Sequence, residues 1–138
     1  MDAKEYLMQI QKLDKLIENK LAEVDKWKLI ATGSTAFPDN ERVQTSGTKQ
    51  KMADAVAIYV DIQKEINSDI DRLADLKKEI IKTIEALQPY EYDVLHKIYV
   101  QQMSVKEVSA VLDMSYSWVT WIHREGIKHL QEILNERK

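Results

Sequence analysis

Cysteine is absent from this 138-residue chain. That excludes disulfides and thiolate metal sites, and makes the cytoplasm the natural compartment. Three glycines and two prolines leave little turn chemistry for an all-β fold. No apolar run approaches the roughly eighteen residues of a membrane helix, and no signal-peptide core opens the chain, so neither a membrane span nor a leader is expected. An excess of basic charge is missing too. With 20 Lys and Arg against 23 Asp and Glu, the formal net charge is −3, so bulk attraction to a polyanion is weak.

What the chain does have is helical period. In residues 2–87 the positions Leu7, Ile10, Leu13, Ile17, Leu21 and Val24 form one near-heptad seam. Met52, Tyr59, Ile62, Ile66, Ile70, Leu73, Ile80, Ile84 and Leu87 form a second, and charged residues lie between the seam positions of both. A 3.5-residue repeat with charged flanks predicts two long coiled-coil helices in an antiparallel hairpin, residues 1–88, that assembles into a homo-oligomer. A monomeric hairpin packed back on the C-terminal helices is the competing arrangement. The connection, residues 31–48, holds two of the three glycines and one of the two prolines and is expected to be a loop. Arg42, Lys49 and Lys51, with Gln44, Thr45, Ser46 and Thr48, offer donors for phosphate or for a partner's carboxylates. A solvated loop tip is the simpler account of them. Trp27 and Phe37 are placed to anchor its ends.

Pro89 marks the next boundary, because proline suits the first position of a helix. A C-terminal unit, residues 89–138, is expected to contain helices at 89–101, 104–112 and 115–135. Ser104 with Glu107 three residues on is a capping box, and Val105, Val108 and Leu112 make a short apolar stripe. The pattern breaks at Asp113-Met114-Ser115, where Ser115 can cap a further helix. That helix places Val119, Ile122, Gly126, Leu130 and Ile133 on one face. Two short helices joined by a three-residue turn are the layout of a helix-turn-helix. The fold expected is therefore all-α: a long antiparallel helical hairpin followed by a three-helix unit.

Ser117, Trp121, Arg124 and Lys128, at i, i+4, i+7 and i+11, form the outward stripe of the last helix. Tyr116 and Thr120 flank it on one side and Trp118 on the other. Hydroxyls serve phosphates and base edges, and arginine grips guanine in a bidentate fashion. Exposed tryptophans call for a cover, either DNA or a partner protein. A tryptophan folded back onto the upstream helices is the alternative place for each of them. Residues 89–138 carry six Lys/Arg (Lys97, Lys106, Arg124, Lys128, Arg137, Lys138) against seven Asp/Glu. A reader so poor in cations needs duplicated contacts or a partner at the promoter.

Residues 87–134, LQPYEYDVLHKIYVQQMSVKEVSAVLDMSYSWVTWIHREGIKHLQEIL, resemble the DNA-binding fourth region of bacterial sigma factors. The whole chain, including ERVQTSGTKQKMADAV at 41–56, is similar to small phage and prophage proteins of Gram-positive bacteria that resemble RinA- and ArpU-like late transcription regulators. The resemblance implies a regulator of the bacterial host's cytoplasm that binds double-stranded DNA and works beside RNA polymerase. It makes Ser115 the cap of the recognition helix and sets Tyr116, Ser117, Trp118, Thr120, Trp121 and Arg124 toward DNA; Lys128 on the outward stripe and Lys106 on the preceding helix are further candidate contacts. Asp113 stands where the turn usually has glycine. Tyr116, Trp118 and Trp121 stand where sigma factors often carry basic residues.

Catalysis has no comparable pattern. Asp93 with His96, and Glu125, His129 and Glu132, have spacings that suit a metal, but neither set has a second cluster to complete it. No metal, cofactor or catalytic residue is expected, and the chain is read as a non-enzyme. Two readings remain: a sequence-specific, oligomeric DNA-binding regulator, and an interaction module whose helix-turn-helix docks on RNA polymerase or another regulator.

Overall fold

The structure, a computed structural model, describes residues 1–33 and 46–137. Among these residues every regular element is helical, as the periodicity predicts. They are α1 (Ala3–Thr32), α2 (Ser46–Ile84), α3 (Pro89–Leu95), α4 (Val105–Leu112) and α5 (Tyr116–Glu136), with a π-helical turn, His96–Val100, continuing α3. The helices reach further into the 31–48 connection than its composition suggests, ending at Thr32 and resuming at Ser46. Asp2 caps α1 by accepting the Glu5 N–H at 2.8 Å. Gly33 closes it at φ +69, the left-handed conformation glycine adopts most readily. Arg42, like Phe37, Gln44 and Thr45, lies outside the described residues.

The chain forms two compact units, and the boundary between them falls inside α1 and α2. The first comprises Met1–Leu13 and Leu73–Lys138, so Pro89 lies within it. Its core joins Tyr6, Leu7 and Ile10 of α1 to Ile80 and Ile84 of α2, Leu95 and Tyr99, and Leu130 of α5. A second cluster, Val94, Val108, Val119 and Ile122, ties α3, α4 and α5 together. Polar groups in the core are satisfied. The Thr83 hydroxyl donates to the Glu79 carbonyl at 2.9 Å and accepts from Tyr6 (3.1 Å) and Arg137 (3.0 Å). The Ala3 N–H donates to Gln131 Oε1 at 2.7 Å, tying the start of α1 to α5.

The second unit, Asp14–Arg72, is a helix pair with a thinner apolar interior of Ile17, Val24, Ala55 and Ile66. Two expected seam residues are not in it: Leu21 and Ile70 are both 48% exposed. A straight α-helix advances about 100° per residue rather than in strict heptads, so Ile62, Ile66, Asp69 and Leu73 share a line from which Ile70 departs. Asp69 takes the inward place, buried, with Lys20 Nζ at 2.6 Å and Arg72 at 3.1 Å. The Lys20 hydrogen bond holds the Asp69 carboxyl below its ordinary range, and Asp69 in turn raises Lys20. Trp27 is half-buried on α1 and donates to Glu23 of the same helix at 3.2 Å.

Candidate nucleic-acid interface

Local chemistry builds the α4–α5 pair. The Glu107 N–H donates to Ser104 Oγ at 3.1 Å and the Ser104 N–H donates to Glu107 Oε1 at 3.2 Å, the reciprocal capping box read from the sequence. Asp113 ends α4 at φ 52, ψ 45, a left-handed geometry that aspartate tolerates better than most residues. Across the turn the Ser109 hydroxyl donates to the Met114 carbonyl, and the Met114 N–H returns to the Ser109 carbonyl at 3.1 Å. Ser115 Oγ then accepts the Trp118 N–H at 3.0 Å and starts α5.

The inner face of α5 buries Val119, Ile122, Gly126 and Leu130, with Ile133 half-buried behind them. Gly126 permits the close approach: a Cβ there would stand 3.1 Å from Leu95 Cδ1 and 3.4 Å from Glu91 Cβ. Buried Glu91 accepts the Gln88 N–H at 3.3 Å through Oε1, while Oε2 meets His129 Nδ1 at 2.6 Å. His129 is thereby committed to holding α3 against α5, and Asp93 pairs with Lys97. Neither belongs to a metal set. Among the described residues no group of three or more His, Cys, Asp or Glu could hold a metal ion, and no helix is long and apolar enough to cross a membrane.

Tyr99 and His123 stack with their rings 5.6 Å apart and bond through the hydroxyl and Nε2 at 2.6 Å. Burial, helped by the Lys4 charge, pushes His123 below its ordinary value, and burial pushes Tyr99 up.

The outward stripe is where its spacing puts it. Ser117, Trp121, Arg124 and Lys128 are exposed, as are Lys106, Ser115 and Tyr116. Thr120 is half-buried, with its hydroxyl donating to the Tyr116 carbonyl at 2.9 Å. Trp118 turns away from this group: half-buried, it meets Tyr90 edge-on at 5.3 Å and packs against the Val94–Val108–Val119–Ile122 cluster. Lys49 and Lys51 are exposed in the other unit.

Residues that the sequence reading passed over also contribute to this surface. Val111 and Met114 are exposed beside the turn, and Tyr90 supports Trp118. Glu91 sits in the first turn of the helix that Pro89 opens, a place where acidic residues are favoured and a signal that would have found it. Nothing local announces its His129 partner, 38 residues on. A shallow hollow of about 210 Å³ bordered by Gln88, Glu91, His129 and Glu132 is small against the usual span of ligand pockets, and a wider one of about 540 Å³ along α2 is rimmed by Lys77, Lys78, Lys82 and Glu85 at the surface.

Part of the chain is similar to proteins named RNA polymerase sigma factors. It is 38% identical over 61 residues to the RNA polymerase sigma factor FliA of Yersinia enterocolitica, covering 44% of this chain and 26% of that protein. The Salmonella typhimurium sigma factor FliA is 34% identical over 62 residues, 45% of this chain and 26% of its own length. The Escherichia coli K12 protein of the same name is 28% identical over 90 residues, 64% of this chain and 37% of its own. The chain thus spans between about a quarter and just over a third of the relatives it matches. No family model matches the chain, and no solved structure matches it.

Proposed function

We propose that this chain is a sequence-specific, DNA-binding transcription regulator of phage or prophage type, reading double-stranded DNA with α5 and acting as a homo-oligomer in the bacterial cytoplasm. The observation that carries the reading is the Ser104–Asp113–Ser115 frame. It presents Ser117, Trp121, Arg124 and Lys128 as one exposed stripe on a helix of groove-filling width. The partial similarity to proteins named RNA polymerase sigma factors supports a role in transcription. Phage origin rests on the resemblance over the whole chain. Oligomerisation is supported by the apolar side chains left on the surface of the second unit, among them Leu21, Leu29, Val56, Val60 and Ile70. No catalytic group is assigned, and the chain acts by binding.

A second reading has its own observation. Trp121 is half exposed on a unit of slightly acidic balance, which suits docking on a protein such as RNA polymerase. Recovery of sheared host and phage DNA by the purified protein at about 50 and 150 mM salt separates the two. A regulator yields a few sharp peaks that survive the higher salt and vanish in the double variant Arg124→Ala, Trp121→Ala. Diffuse recovery lost with salt, or sharp peaks unchanged in the double variant, would overturn the assignment to α5.

A further inference from the structure

Three features of the α4–α5 surface bear on how bases are read. Two of the hydroxyls that the sequence offers as polar readers are already engaged: Ser115 caps α5 and Thr120 donates to the Tyr116 carbonyl. Cations are few. Lys97 is held by Asp93 and Arg137 by Thr83, which leaves Lys106, Arg124 and Lys128 exposed and without an ion pair among the described residues. Large apolar groups, by contrast, are abundant. Val111 is 61% exposed, Tyr116 62% and Trp121 51%, all within the last turn of α4 or the first two turns of α5, with Met114 between them.

Resting on the DNA-binding reading, we propose that this surface recognises thymine by its 5-methyl group, with Trp121 as the principal contact. The major groove of B-DNA displays one apolar feature, the thymine methyl, and an apolar side chain on a reader helix has that group to meet. Ser117 and Arg124 lie one turn either side of Trp121 on the same stripe, so hydrogen-bonding readers bracket the apolar one. This interleaving fits a groove floor in which methyls alternate with acceptors better than it fits a continuous apolar protein face. RNA is a poor fit, because its major groove is too narrow for a helix and uracil lacks the methyl. With three cations free of ion pairs on this surface among the described residues, the logarithmic salt dependence of binding should have a slope of about −3 per chain, and desolvation supplies the rest of the affinity.

The experiment selects duplexes with the full-length protein from a randomised library. The winner is then remade with deoxyuridine in place of each thymine, singly and together. Fluorescence anisotropy at fixed salt compares wild type, Trp121→Ala and Arg124→Ala, each checked for native helicity. Removing the methyl at one or two positions should weaken wild-type binding by roughly fourfold each, the worth of one buried methyl. At one such position Trp121→Ala should be insensitive to the change, whereas Arg124→Ala should keep the full sensitivity. Equal binding of the thymine and uridine duplexes by wild type would overturn the methyl proposal and leave the DNA-binding reading intact. So would a Trp121→Ala variant as sensitive to uridine as wild type. Failure to enrich any duplex would instead overturn the DNA-binding reading, and this proposal with it, in favour of a protein partner.

Discussion

The two units share the same pair of long helices and use their apolar residues differently. In the first, α1 and α2 meet α3, α5 and the π-helical turn, and Leu7, Ile10, Ile80, Ile84, Leu95 and Leu130 are almost wholly removed from water. In the second, α1 and α2 have only each other among the described residues. Ile17, Val24, Ala55 and Ile66 are buried, while Leu16, Leu21, Leu29, Val56, Ile58, Val60 and Ile70 remain exposed. A helix pair buries one stripe per helix, and any further apolar stripe stays wet until a third surface arrives. Val56, Val60 and Ile70 fall within an arc of about 80° at 100° per residue, a coherent face rather than scattered residues. The difference teaches that hydrophobic content alone does not make a core. The number of elements around it decides.

The sharpest way to break that comparison is one truncation in each unit. Leu130→Ala removes a fully buried side chain where five elements converge and should cost about 2–5 kcal/mol, read as a lower urea midpoint at every protein concentration. Ile70→Lys should be neutral within about 0.5 kcal/mol at dilution, because its position already faces water. At high concentration the same variant should lower the sedimenting mass if this face carries the proposed oligomer. A large, concentration-independent loss from Ile70→Lys would mean the two units do not differ in the way described.

What was legible in the sequence follows the same division. The frame of the site was readable because its determinants are local: Ser104 with Glu107, the left-handed Asp113, the Ser115 cap and the period of Val119, Ile122, Gly126 and Leu130 each depend on neighbours within one or two turns. The outward stripe followed from the same period. Determinants distant in sequence were invisible, including the Glu91–His129 bond, the Tyr6–Thr83–Arg137 contacts and the seat of Trp118 against Tyr90. Two local readings also missed. The helix expected over 89–101 shifts to π geometry at His96–Val100, which a hydrophobic period cannot reveal. The heptad reading set Ile70 inside, whereas the Lys20–Asp69 bond and the 3.6-residue turn bring Asp69 in its place.

A smaller effect sharpens the local side of the comparison. Ser104→Ala removes the acceptor of the Glu107 N–H and unmakes the capping box, at an expected cost of about 1 kcal/mol. Because α4 has only eight residues, the loss should appear as faster amide exchange through Val105–Val108 with little change in α1 or α2. Uniform acceleration across the whole chain would show that α4 has no separate stability for its cap to protect.

Acid titration should give the smallest effect, and it separates the units by the groups that titrate. In the first unit His123, buried against Tyr99 and beside Lys4, lies below its ordinary value of 6.5. The unfolded chain therefore binds this proton more readily than the folded one. The stability that neutral His123 secures is complete above pH 6.5 and is lost as pH falls through the folded value. His96 adds to the same slope, lowered by burial and by Lys97 against the opposing Asp93 charge. In the second unit Asp69 lies below its ordinary 3.8, so the stability from its bond to Lys20 is complete above pH 3.8 and lost only as pH falls through a still lower value. The first unit should thus weaken in a window of milder acid than the second. Variants retaining either Trp118 or Trp27 as the sole tryptophan give each unit its own fluorescence reporter. The Trp118 signal should lose urea resistance first on acidification, and His123→Gln should flatten most of that slope while leaving the Trp27 titration unmoved. Loss of both signals together near pH 6 would place the controlling proton outside the Tyr99–His123 pair.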